Sequence, residues 1–298
     1  MFASKILSSS VKGASSGARA QLSSVFKASS VADQVKNLSK VGALFAAGAA
    51  ATGVALSNDE DHIPSLDYGW SHHGVMAAYD TASIRRGFQV YRQVCASCHS
   101  VSRVNFRNLV GVTHTEAEMK EIAAEYEVED GPDDEGEMFE RPAKLSDPIP
   151  SPYKNEQEGR LANGGALPPD LSLMVKARPG GIDYIFALLT GYVDPPETRT
   201  MLPGLHYNPY FPGGAISMGK QLEDGQVEYE DGTPATVAQM AKDVCTFLAW
   251  AAEPEHDDRK KGGLKWMLAL SAAILITGYY KRFRWAPLKT RKTSYLNM

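Results

Sequence analysis

Cysteine is scarce, with three residues in 298. So few cannot form the disulfide framework of a small secreted scaffold. Two of them, Cys95 and Cys98, stand three apart, and Cys245 is alone 147 residues further on. A four-cysteine zinc ribbon is therefore excluded as well, because it needs a second Cys-x-x-Cys. Acidic residues are nearly missing from both ends of the chain. Residues 1–57 carry six Lys/Arg against Asp33 alone, and residues 259–298 carry ten Lys/Arg and no acid. The remainder, 58–258, has 15 basic and 34 acidic residues, a net charge of −19 that the overall −4 conceals. A region so acidic repels nucleic acid and attracts basic partners. Internal repeats are also lacking.

Residues 1–40 hold eleven Ser and read as a mitochondrial transit peptide. The Ala/Gly-rich apolar run 41–56 follows. After a transit peptide it resembles a sorting signal, and a retained membrane helix is the alternative. The break to Asn58-Asp59-Glu60-Asp61 looks like a processing point. The expectation is a two-part presequence over 1–57, cleaved near 57–58, with the mature chain starting close to Asn58.

A second apolar run, Leu264–Tyr280, covers roughly 25 Å as a helix, and extension to Trp285 gives about 33 Å, enough for a bilayer core. Trp266, Tyr279, Tyr280 and Trp285 sit where interfacial aromatics belong, and six basic residues follow from Lys281 to Lys292. Basic flanks stay on the inner side, which puts the tail 286–298 in the matrix and the acidic region outside. A buried helix of a soluble protein would not carry that dense flanking charge. The anchor is expected over 259–285, entered through a polar hinge at Glu255–Gly263.

Between these segments lies the working domain, 58–258. Thr81-Ala82-Ser83 is expected to cap a helix over Ser83–Val94, with Ile84, Phe88, Tyr91 and Val94 on one face. Residues 116–140 hold twelve acids and little apolar material beyond Ile122 and Tyr126, which reads as a solvated insertion. One helix is expected at Ile182–Leu189. Another is expected behind Thr233 as N-cap with Pro234 in its first turn, striped by Val237, Met240, Val244, Phe247, Leu248 and Ala251 and ended by Pro254.

Helix Ser83–Val94 delivers the chain to Cys95-Ala96-Ser97-Cys98-His99. One helical turn places two thiols to form thioethers with the two vinyl groups of a haem, and the next residue sets an imidazole under the iron. A thioredoxin-like Cys-x-x-Cys would follow a strand, and a zinc site would need further ligands nearby. The motif therefore reads as covalent attachment of one haem c through Cys95 and Cys98, with His99 as an axial ligand. From spacing alone the sixth ligand stays open among Met174, Met201, Met218, Met240, His62, His72, His73, His114, His206 and His256. Met240 on its apolar stripe and Met174 in an apolar turn read as core. Met218, in Phe211-Pro212-Gly213-Gly214-Ala215-Ile216-Ser217-Met218-Gly219, lies where small residues let backbone approach a flat macrocycle. Cys245 reads as a small core residue.

Several long blocks resemble the mitochondrial cytochrome c1 family. They are Ser83–Tyr91 leading into Cys95–His99, Asn163–Ser172, the loop around Met218, and Asp243–Leu248 continuing through Trp250–His256. The resemblance runs from about Trp70 to the C-terminus. It implies that Met218 is the second axial ligand, that Arg178 contacts a haem propionate, and that Tyr91, Pro168 and Pro169 line the haem. It also implies a mostly α fold, a cytochrome c-like haem domain with long loops and one C-terminal transmembrane helix. The implied function is respiratory-chain electron transport in the ubiquinol–cytochrome c reductase complex (complex III) of the mitochondrial inner membrane. Electrons would pass from the Rieske iron–sulfur protein to soluble cytochrome c, beside cytochrome b and the other subunits. The chain itself would make and break no substrate bond. A peroxidase-like haem enzyme would need an open iron position, which Met218 in its loop argues against.

Overall fold

The computed structural model describes residues 63–292. The expected presequence 1–57, its processing point, His62 and the last six residues of the basic tail lie outside the described residues.

The fold is mostly α. Among the described residues, in chain order, there are eight α-helices: α1 Thr81–Gln93, α2 Phe106–Leu109, α3 Glu116–Ala124, α4 Glu156–Ala162, α5 Met174–Ala177, α6 Gly181–Thr190, α7 Val237–Ala252 and α8 His256–Thr290. Four short strands form two antiparallel hairpins, β1 Glu127–Asp130 with β2 Phe139–Pro142 and β3 His206–Tyr207 with β4 Ala215–Ile216.

Helices α1 and α7 make the most extensive packing contact in the domain, and α6 packs on α7 beside it. Ile84, Phe88, Val90 and Tyr91 of α1 and Met240, Val244, Cys245 and Phe247 of α7 are all essentially solvent-free. Phe247 meets Phe88 and Tyr91 at ring-centroid distances of 5.6 and 5.7 Å. The crossing is close because Gly87 has no side chain. A Cβ there would lie 2.0 Å from the Asp243 carbonyl oxygen. Beside it, the fully buried Asp243 carboxylate accepts from Ser83 Oγ (2.5 Å), Arg86 Nε (2.9 Å) and Gln239 Nε2 (2.9 Å). A buried charge is tolerated only with such pairing.

Helix α1 begins two residues earlier than the sequence pattern suggested. Asp80, not the Thr81–Ser83 segment, is the N-cap, its carboxylate accepting from the Ala82 N–H. Likewise α7 is capped by Thr236, whose hydroxyl accepts from the Gln239 N–H, and not by Thr233. Asp224 takes the Val237 N–H at 2.7 Å, a partner 13 residues away that spacing does not reveal.

Two further expectations are corrected. The acidic segment 116–140 is not all solvated, since α3 places Met119 and Ala123 in the core with no exposure. Met119, Ile122, Ala123 and Tyr126 recur at helical spacing, and that stripe outweighs the acids around it. Thr115 and Glu118 close a capping box, and the Thr115 N–H, then Arg85, hold the Glu118 carboxyl down at about 2. The base of the β1–β2 hairpin is tied in by Arg141, which pairs with Asp130 and Asp147. The polar hinge Glu255–Gly263 is the other correction, because the chain is already helical from His256. Asp257 and Asp258 in its first turn favour the positive end of the helix dipole.

Helix α8 has 35 residues and is roughly 50 Å long. Among the described residues it is the one helix long and apolar enough to cross a membrane, and none of its apolar window is covered by the rest of the chain.

Candidate functional site

The site is built where α1 ends. Val94 closes that helix and Cys95–Ser97 continues as one 3₁₀ turn. The Cys98 and His99 N–H groups both donate to the Cys95 carbonyl, at 3.1 and 2.9 Å. Cys95 thus opens the turn and Cys98 caps it. Burial pushes the Cys95 thiol up to about 12, with Cys98 adding to the shift. A dithiol of the redox-exchange type needs the opposite, a depressed thiol.

His99 is held by two hydrogen bonds, one on its ring and one on its own carbonyl. Its Nδ1 donates to the Pro169 carbonyl at 2.8 Å, and its own carbonyl accepts from the Tyr91 hydroxyl at 3.0 Å. A carbonyl can only accept, so Nδ1 carries the proton and Nε2 keeps its lone pair. Burial lowers the pKa of His99, which keeps the ring neutral. That is the state a metal-ligating imidazole requires.

The loop that supplies Pro169 is pinned by a residue the sequence reading passed over. The Asp170 carboxylate accepts from Ser100 Oγ (2.8 Å), the Ser102 N–H (2.8 Å) and the Ser172 N–H (2.9 Å). Despite desolvation, these bonds hold its pKa down. The Leu171 N–H closes the junction on the Ser100 carbonyl at 2.8 Å. The available signal was an acid beside two prolines, flanked by serines that could donate to it.

Met218 follows β4 in the Pro-Gly loop and is half-buried. The Tyr192 hydroxyl, just beyond α6, donates to its carbonyl at 2.9 Å. Asn208, fully buried, bonds the Leu188 carbonyl of α6 with its amide (2.8 Å) and the Gly214 carbonyl with its N–H (3.0 Å). Arg199 donates to the Gly213 carbonyl and stands over the Tyr207 ring at 5.6 Å. Gly214 has φ +67°, and a Cβ there would meet the Arg199 guanidinium at 2.7 Å. Tyr192, Arg199 and Asn208 are therefore positioning residues for the Met218 loop, and nothing in their local sequence pattern marks them. The loop is fastened to α6, which packs on α7, which packs on α1 before Cys95.

The other predicted residues fall as follows. Tyr91 is fully buried, and its hydroxyl serves the His99 carbonyl. Pro168 is half-buried and Pro169 exposed. Arg178 is exposed beyond α5, donates to the Ala177 carbonyl at 3.2 Å, and makes no ion pair among the described residues. Of the other candidates for the sixth ligand, Met240 is entirely core and Met174 packs against it. His72 stacks on Tyr79, His114 bonds Thr113 Oγ1 and His256 bonds Asp257. Among the described residues no three His, Cys, Asp or Glu side chains converge as a bare metal ion would need. Cys245 is fully buried in α7.

A Cys-x-x-Cys-His turn closing α1, an imidazole oriented through Nδ1 and a methionine loop fastened to α6 are the features a haem protein would need. The chain belongs to the cytochrome c1 family, whose model, described as the Cytochrome C1 family, matches residues 70–288. It is 62% identical over 240 residues to the Solanum tuberosum protein named cytochrome c1-2, heme protein, mitochondrial, covering 80% of this chain and 92% of that one. To the Arabidopsis thaliana cytochrome c1 1, heme protein, mitochondrial, it is 59% identical over 261 residues, 85% of each chain. To a Candida albicans protein named cytochrome b-c1 complex catalytic subunit, mitochondrial, it is 60% identical over 242 residues, 81% and 84% of the two chains.

Proposed function

We propose that the chain is a membrane-anchored one-electron relay in the cytochrome b-c1 complex of the mitochondrial inner membrane. Cys95 and Cys98 hold one haem c as thioethers, and His99 and Met218 ligate its iron. The observation that carries this reading is the His99 Nδ1 bond to Pro169, just after the turn that Cys95 opens and Cys98 caps. When bound, the haem supplies an iron that alternates between ferric and ferrous states and so carries one electron.

The chain's own residues do the rest. Pro169, fixed by Asp170, sets the ring plane and tautomer of His99. The Tyr91 hydroxyl holds the His99 carbonyl. Met218 offers a soft, neutral sulfur that favours ferrous iron and raises the potential. Arg178, an unpaired cation on an acidic domain, suits an anionic propionate. Pro168 and Pro169 supply apolar surface beside the macrocycle.

In this reading the acidic domain 58–258 faces the intermembrane space, α8 anchors it through 259–285, and the tail 286–298 lies in the matrix. The presequence 1–57 is removed. Electrons arrive from the Rieske iron–sulfur protein, and soluble cytochrome c, a basic partner, collects them. The relatives' names support membership of the complex, beside cytochrome b and its other subunits.

The direct test is haem-dependent staining of the denatured chain, which only a covalently held haem survives. The parent chain should stain, the Cys95→Ala and Cys98→Ala variants should each lose most of the signal, and the double variant all of it. Full staining of the double variant would refute thioether attachment.

A further inference from the structure

We infer that the loop Gly74–Ala77 is a membrane-surface contact, held by the first turns of α8 in the phospholipid headgroup layer on the side of the folded domain. The inference rests on the reading of α8 as a membrane span.

Val75 and Met76 are 81% and 72% exposed, adjacent apolar side chains at the tip of a loop. Their loop is tightly fastened. The Lys260 ammonium donates to the carbonyls of His72 (2.7 Å), Gly74 (2.7 Å) and Ala77 (3.0 Å), which uses all three of its N–H bonds. Next to it the Tyr79 N–H reaches both Asp257 carboxylate oxygens at 3.3 Å. The Tyr79 ring lies 4.5 Å from His256 and 4.6 Å from His72, and His256 bonds Asp257 at 2.7 Å. The loop thus travels with the root of α8.

Depth follows from the helix. Lys260 precedes Leu264, the first residue of the apolar run, by four positions, or roughly 6 Å along the axis. The headgroup region outside the hydrocarbon core is about 5–8 Å thick on each side. A loop clamped to Lys260 is therefore level with the headgroups.

Charge selects the occupant. Arg259 and Lys261, with side chains 58% and 72% exposed, stand on the same turns, and the exposed Lys265 follows. Glu253 pairs with Arg259 at 2.8 Å and Asp258 lies 3.8 Å from Lys261, so Lys265 is the cation of this group without an ion pair among the described residues. An apolar tip level with the headgroups, with the exposed Lys265 ammonium at the same boundary to meet lipid phosphate, suits the acyl–headgroup boundary of an anionic leaflet. The clamp would also fix the orientation of the haem domain on its helix.

The test places a nitroxide on the full chain with its haem, in vesicles of phosphatidylcholine and cardiolipin, through Val75→Cys, Glu135→Cys at the β1–β2 hairpin tip, or Leu270→Cys within the span. Collision with oxygen is compared with collision with a water-soluble nickel chelate, and the unlabelled-site parent gives the background. The expected oxygen-to-nickel ratio is high at the Leu270 site, low at the Glu135 site, and clearly raised at the Val75 site. Adding Lys260→Met should drop the Val75 ratio toward that of the Glu135 site. If the Val75 label is as open to nickel as the Glu135 label while the Leu270 label remains in lipid, the inference is overturned. A Val75 label shielded from both reagents overturns it too, because protein and not lipid then covers the loop. If the Leu270 label is itself open to nickel, the span reading has failed, and the inference with it.

Discussion

Replacing Gly87 by Ala sets two effects of opposite sign against each other. In an exposed helix interior the change should stabilise by about 1 kcal/mol, because glycine gives up more backbone freedom on folding. At the α1–α7 crossing the new Cβ would lie 2.0 Å from the Asp243 carbonyl oxygen, 2.6 Å from its carbon and 2.8 Å from Phe247 Cβ. Two of these atoms are backbone and cannot rotate away. Restoring an ordinary contact of 3.4 Å needs the helices to part by about 1.4 Å. A radial gap of even 0.5–1 Å forfeits a quarter to a half of the dispersion energy across it. Ile84, Phe88, Tyr91, Met240, Val244 and Phe247 all share this contact. Overpacking of a rigid core costs about 1–3 kcal/mol, occasionally more, and this backbone clash belongs at the upper end. We expect a net loss of about 2–3 kcal/mol, or roughly 4–12 °C in Tm for a domain of this size. The check is thermal unfolding of parent and Gly87→Ala chains in the same detergent, followed by far-ultraviolet circular dichroism. An unchanged or raised Tm would mean that propensity wins, and that the crossing is not as close as described.

Asp243→Ala should destabilise by about 1–3 kcal/mol, because Ser83 Oγ, Gln239 Nε2 and Arg86 Nε lose their buried acceptor while Asp231 stays on the Arg86 guanidinium at 2.8 Å; a urea midpoint within error of the parent would contradict this. His72 tests the root of α8 by pH. Burial, then His73, His256 and Lys260, lower its pKa from 6.5 to about 4, so the unfolded chain takes up a proton that the native one refuses. Stability should therefore fall as pH drops from 6.5 to 4, by up to about 3 kcal/mol, with no further loss from this group below that. His72→Phe should flatten the Tm profile between pH 6.5 and 4.5, above the range where Glu118, Asp147 and Asp231, all held near 2, begin to protonate. Finally, reduction of a basic acceptor by the −19 domain should slow by one or more orders of magnitude between low and high salt, and a salt-independent rate would remove the steering role.

Local pattern carried much of this architecture. The stripe Ile84, Phe88, Tyr91 announced α1, the stripe from Met240 to Ala251 announced α7, and Leu264–Tyr280 announced the long apolar helix. Cys95–His99 specified its own turn, because its spacing is its chemistry. Partners distant in sequence were not legible. Asp224 lies 13 residues from the α7 N-terminus it caps, so local spacing alone points to Thr233-Pro234 as the start. Lys260 clamps a loop more than 180 residues earlier, and the polar run Glu255–Gly263 around it reads as a hinge where the helix runs on. Acid density in 116–140 masked the four-residue apolar stripe that folds α3 onto the core. Around the candidate site, the motif names His99, whereas loop composition only favours Met218 among ten candidates and the family resemblance singles it out. Asp170, Tyr192, Asn208 and Arg199 could not, since each acts through one or two long-range bonds to backbone.

The central claim is that Met218 completes the coordination of a haem held at Cys95–His99. The most direct measurement is the reduced and oxidised absorption spectrum, with the midpoint potential, of the Met218→Leu chain against the parent. The account predicts a low-spin parent that does not bind carbon monoxide. It predicts a variant that turns high-spin, binds carbon monoxide readily and loses potential. A variant that stays low-spin at the parent's potential would contradict the assignment.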